Sequence, residues 1–303
     1  MVVPFSLILF LSFIITPYAL EKRIKENWDR LAYPSKVYEL YSLLGFRCLW
    51  FCDGKETENF HTLQEVFDEA VLHGIEINLD VEELAITDSL IKLAYSLYYG
   101  RVDPSTLYKR WNLPKKPDRV ISGLSELIRQ GRIRDLTVEL SPQDEEYWFL
   151  VEKAKDFRDL SAFDWKPIKL RRTLSLGGRS PCIDEIRFRL FLLGDLERYE
   201  PSDTFDGELF EAVKGFQRRH GLPETGSIDA RTLKELNILP AERLKMIYLN
   251  LEKRRWLHIP FVRYILVNVP SFEFFWVEGY ELKLYSRVIV GRNYKDDFRP
   301  TPM

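Results

Sequence analysis

A mainly α protein that turns to β near its C-terminus is predicted by three observations. Apolar residues recur at helical spacing from about Lys22 to Trp165. Three short segments, each with its own start and stop signals, follow between Ser180 and Ile238. From Tyr264 the period falls from 3.6 to 2, the spacing of strands. A length of 303 residues implies about two or three domains, and 46% hydrophobic residues are enough to fill their cores.

Along the chain, Phe5 to Ile15 is apolar apart from Ser6 and Ser12 and is followed by Thr16-Pro17-Tyr18-Ala19. A run this short suits an export signal (residues 1–19) better than a span of ~20 residues, and an uncleaved anchor is the alternative. In the next stretch, Leu63, Val66, Phe67, Ala70 and Val71 share one helix face closed by His73-Gly74. Asp88 is expected to begin a helix ending at Gly100, and Asp103-Pro104 a short one toward Trp111, before Pro114 and Pro117 interrupt. Val120 to Ile128 reads as another helix, stopped by Gly131. Pro142, followed by three acidic residues, opens one through Tyr147, Leu150, Val151 and Ala154.

Leu170 to Pro181 is rich in Ser, Gly and Pro and divides a helical domain (20–170) from the three-helix unit (171–240). In that unit Ser180-Pro181, Asp206 and Asp229 start the helices, and Gly194 and Gly221 stop two of them. One more helix follows Pro240 (241–262). Strands are expected over Tyr264–Val269, Phe272–Val277 and Leu282–Val290.

The chemistry-bearing residues are sparse. Lys and Arg (44) nearly balance Asp and Glu (46), so the basic face of a nucleic-acid binder is not in prospect. The three cysteines imply no disulfide framework and are expected to be buried as small apolar side chains, Cys48 and Cys52 on one helix face. His61, His73, His220 and His258 lack ligand spacing, so neither a metal site nor a cofactor is expected, and no catalytic residue is assigned.

The three-helix unit resembles the peptidoglycan-binding-like domain of bacterial wall enzymes. The residues that carry this are Ile186-Arg187-x-Arg189-Leu190 with Leu193-Gly194, Ala212-Val213-Lys214-x-Phe216-Gln217-Arg218-Arg219-His220-Gly221-Leu222, and Gly226, Thr232, Leu233, Leu236-Asn237. Gln217, Arg218 and Arg219 are its candidate peptidoglycan contacts, while the competing reading of Gln217 and Asn237 is that they hold loop backbone. Thr87-Asp88-Ser89 through Tyr95, Gly100 to Pro104 and Trp111 are similar to the scaffold domain of the L,D-transpeptidases. Leu249 to Leu257 is similar to their lead-in helix, and Arg263 to Pro270, Phe272 to Val277, Arg287 to Gly291 and Arg299 to Pro302 to their opening strands (263–303).

This resemblance implies an exported protein of the periplasm or envelope, whose partners are peptidoglycan stem peptides and glycan and, further, other wall enzymes. The family's chemistry is a Cys thiolate, activated by His, that attacks the third residue of a tetrapeptide stem and passes the acyl group to an amine, giving a 3–3 cross-link. The family's nucleophile lies beyond the Thr-Pro dipeptide at 301–302, so the catalytic domain reads as truncated. None of the three cysteines replaces that thiol, and the polypeptide is expected to be inactive as a transpeptidase alone. A non-catalytic wall-binding or scaffold protein is the alternative. The unfinished sheet, 263–303, is expected to be poorly ordered alone or to pack on the three-helix unit.

Overall fold

A computed structural model describes residues 16–78, 82–109, 111–257, 263–279 and 281–291. The apolar run before Thr16, His258 and the Thr-Pro dipeptide lie outside the described residues. The chain divides into two compact units, one holding the helices and the other the strands of residues 263–287.

The helical unit opens with α1 (Pro17–Glu26), whose first turn is capped by the Thr16 hydroxyl accepting from the Ala19 amide. Leu20 and Ile24 on α1 are buried in the first core. After α2 (Pro34–Leu43), a two-residue hairpin pairs β1 (Phe51–Cys52) with β2 (Lys55–Glu56). Then α3 (Glu58–Ala70) runs into a 3-10 turn, Val71–His73, that Gly74 ends in the left-handed conformation. α4 (Glu83–Tyr99), α5 (Pro104–Leu107), α6 (Val120–Arg129) and α7 (Leu136–Leu140) complete the packing. Their common core runs from Leu20 to Leu140.

α8 (Glu145–Leu160) stands apart from that core. It packs along α12 (Pro240–Trp256), joining Tyr147 and Val151 to Leu251. Between them lies the three-helix unit: α9 (Cys182–Leu192), α10 (Gly207–Arg219) and α11 (Ala230–Leu236), with its own closed core from Ile168 to Leu236. The predicted stops hold, Gly194 and Gly221 both at positive φ. Asp206 and Asp229 cap their helices through the amides of Leu209 and Thr232, as predicted.

The expectations needed correction in several places. Asp88 does not start a helix, because α4 already began at Glu83. Its carboxylate reaches across to accept from the amides of Ala32 and Tyr33 at 2.9 and 2.8 Å, ahead of α2. α8 is capped by Asp144, two residues after Pro142. Cys48 and Cys52 do not share a helix; they flank the turn into β1 and are joined as a disulfide. The three-helix unit takes in residues before 171: Ile168 belongs to its core, and the Trp165 indole donates to the Leu236 carbonyl at 3.1 Å. Helices α1, α2 and α7 were not separated out by the sequence; α1 and α7 have no stop glycine close behind them, whereas α2 is followed by Gly45 at positive φ.

The second unit is an antiparallel meander of β3 (Arg263–Asn268), β4 (Glu273–Glu278) and β5 (Glu281–Arg287), in the order β3-β4-β5. The register between β3 and β4 runs from Arg263↔Glu278 to Asn268↔Glu273. β5 ends at Arg287, earlier than the Val290 expected. Both faces are apolar. Leu266, Phe275 and Tyr285 line one, and Ile265, Trp276 and Leu284 the other, with Ile265 63% exposed.

Candidate functional site

The candidate contacts sit on the last turn of α10 and play three different parts. Gln217 is buried, and its amide nitrogen lies within bonding distance of Thr225 Oγ1, the Ser227 carbonyl and Thr232 Oγ1. Its carbonyl accepts from the Gly226 amide at 2.9 Å. The side chain therefore ties α10 to the turn before α11, and it presents nothing to a glycan. Of the two readings of Gln217, the loop-holding one fits this geometry. Asn237 does the same at the other end, accepting from and donating to the backbone of Ile168 at 2.8 and 2.9 Å.

Arg218 and Arg219 are exposed. Arg218 pairs with Glu224, while Arg219 lies over the Phe216 ring and forms two bonds with Asp195 at 2.8 and 2.5 Å. His220 stacks on Phe216 and donates from Nδ1 to the Phe216 carbonyl, and burial holds its pKa below the usual histidine value. That bond leaves Nε2 as an acceptor, since a carbonyl takes the Nδ1 proton.

The two arginines of the Ile186-Arg187-x-Arg189 stretch are structural. Arg187 is buried, donates to the Glu200 carbonyl and bridges Asp206 to Glu208. Arg189 is buried under Trp165 and donates to Glu185, the carbonyls of Lys166 and Leu236, and Asn237. Each satisfies its fork of donors internally, which is what makes a buried guanidinium tolerable. A cluster this saturated builds a surface and does not itself bind.

Beside the module lies an open cleft of about 950 Å³. The ends of α9 and α10 contribute Leu193, Asp195, Arg219 and His220; α8 contributes Phe149 and Lys153; α12 contributes Met246 and Asn250. No single helix shows this concavity in its sequence, which is why only Arg219 among its residues was a candidate contact beforehand.

A buried polar junction fixes α12 beside it. The Glu252 carboxylate accepts from the amides of Arg101 and Val102 and from the Trp256 indole through Oε1, and from Arg255 through Oε2. Arg255 also donates to the His73 carbonyl and to the Tyr147 hydroxyl. A guanidinium only donates, so the Tyr147 oxygen accepts and its proton goes to His73 Nδ1 at 2.8 Å. His73 is thus the neutral Nε2–H tautomer, and among the described residues Nε2 has no hydrogen-bond partner. Burial, with Arg255 beside it, pushes its pKa down to about 3. Gly74 and Gly100 admit α12, because a Cβ at either would sit 2.8 Å from Tyr248 or 2.6 Å from Glu252.

A second buried carboxylate, Glu83, holds the hairpin loop. It accepts from the amides of Leu49, Trp50 and Phe51 and from the Tyr41 hydroxyl. Burial, then the charge of Glu83, raises the Tyr41 pKa. These anchors escaped the sequence reading; an acidic residue inside an otherwise apolar helix face was their one signal.

Among the described residues no group of three or more His, Cys, Asp or Glu is placed to hold a metal ion. No described helix is long and apolar enough to cross a membrane.

Residues 79–153 match the family model of the Scaffold domain, and residues 186–236 match that of a peptidoglycan binding domain. The second match supports peptidoglycan as a partner and the cell wall or envelope as the place of action. No curated protein matches the chain.

Proposed function

We propose that this chain is the scaffold and wall-binding portion of an L,D-transpeptidase, acting in 3–3 cross-linking of peptidoglycan from the periplasm. The observation that carries this reading is the succession on one chain of a Scaffold-domain match, a peptidoglycan-binding match and a sheet apolar on both faces. Apolar side chains exposed on both faces of three strands call for a covering layer, as the rest of a catalytic domain would supply.

In this reading the scaffold and α12 act as positioning elements. The module grips the wall, and the Glu252–Arg255 junction fixes the helix that leads toward the strands. The attacking thiolate is none of the described cysteines. Cys48 and Cys52 are joined to each other, and the Cys182 thiol donates to the Lys169 carbonyl with no histidine bonded to it among the described residues. A wall-binding scaffold protein without chemistry is the second reading, favoured by the closed core of the module.

Muropeptide analysis of the producing cell, with and without the gene, separates them. The transpeptidase reading expects 3–3 cross-linked dimers to fall on deletion and to return on complementation. Unchanged 3–3 dimers would leave the scaffold reading standing.

A further inference from the structure

We infer that the cleft between α8, α12 and the ends of α9 and α10 binds the amino-sugar backbone of peptidoglycan and not its stem peptides; this rests on the wall association proposed above. Its rim bares large apolar side chains. Phe149 is 57% exposed, Phe163 47% and Met246 59%, all around one concavity. Apolar groups gathered at a concave surface mark a binding site far more often than scattered ones do. A pyranose ring offers an apolar C–H face with hydroxyls at its edge, so it seats on an aromatic face with polar groups beside it.

The polar groups of the cleft are of the kind a neutral sugar needs. Asp195, nearly buried, is held by Arg219, Lys153 by Asp156, and Arg243 by Glu235. Their charges are already answered, yet their edges still offer donors and acceptors next to the Asn250 amide and His220. Asp159 and Glu242 add further carboxylates to the lining. With Lys153, Arg219 and Arg243 already paired, an anionic stem peptide would find no free cation among these groups and would meet the carboxylates of Asp159 and Glu242, whereas an N-acetylated sugar carries no charge to repel. The family match ties this chemistry to the wall, since Leu193, Asp195, Arg219 and His220 all lie within the matched stretch 186–236.

The test uses the whole chain, retained on purified sacculi, with two competitors: a neutral oligomer of N-acetylglucosamine and a free tetrapeptide stem. The oligomer is expected to release the protein and the stem is not. Phe149→Ser combined with Phe163→Ser is expected to weaken retention about tenfold, two stacking faces being lost. Met246→Trp, which fills the cleft from an exposed position, is expected to do the same without loss of thermal stability, and decides the matter if the double variant unfolds. Release by the stem alone would overturn the sugar assignment. Full retention of folded Met246→Trp would overturn the cleft while leaving the wall association intact. Failure of the unaltered chain to bind sacculi would remove both.

Discussion

Truncating Gln217 to Ala would strand the Gly226 amide and remove the partner of the Thr232 hydroxyl inside the module. Buried polar groups left this way cost about 1–3 kcal/mol, so thermal unfolding of Gln217→Ala should shift down by several degrees. Arg218→Ala removes only an exposed pair with Glu224 and should leave unfolding unchanged, since such pairs contribute little. His73 makes a prediction in pH. Its folded pKa, about 3, lies below the unfolded value of about 6.5, so the unfolded chain takes up the proton first. Its stability is complete above about pH 6.5 and declines as pH falls toward 3, by up to about 1.4 kcal/mol per pH unit. His220 is shifted the same way and adds to the slope. His73→Gln should flatten the dependence of melting temperature on pH between 6.5 and 4.5; an unaltered slope would show that the imidazole is not held neutral. Little of this was legible beforehand. From the sequence Gln217 was open between a peptidoglycan contact and a holder of loop backbone, and the fold decides it by turning Gln217 inward while Arg218 and Arg219 stay exposed.

At the scale of elements, local punctuation proved a good guide where caps and glycines stand together. Asp206 and Gly221 bound α10, and Asp229 opens α11, as the sequence implies. It misled where a residue's partner is distant: Asp88 looks like a cap for its own helix and caps the approach to α2 instead. The two buried carboxylates, Glu83 and Glu252, each serve backbone amides from another segment, which no local pattern encodes. Gly100 joins both kinds of information. Its φ of +88° explains the helix stop, and the approach of Glu252 and Trp256 explains why no larger side chain fits. Gly100→Ala should therefore cost more than the ~1 kcal/mol of an ordinary glycine replacement and should loosen α12. Limited proteolysis within α12, faster in the variant than in the parent, checks this; equal rates would mean the junction does not secure the helix.

Across the whole molecule, the helical unit and the sheet should differ in stability. α4 lies within a continuous core, whereas β3–β5 expose apolar residues on both faces. Three strands with uncovered faces hold weakly, so amide exchange over Ile265 to Arg287 should be at least about a hundredfold faster than in α4. Strong cooperative protection of the strands would contradict that. The mainly α architecture with a β segment near the end was readable from periodicity, because burial in each helix follows one face. The disulfide and the cleft were not, since each joins groups whose proximity depends on the packing of several elements.

The central claim is that this arrangement of helices engages the cell wall. Co-sedimentation of the full chain with purified sacculi tests it most directly. The predicted result is saturable retention in the pellet, well above that of a control protein of similar size and charge. A chain that stays in the supernatant like the control, at sacculus concentrations that pellet a known wall-binding module, would contradict it.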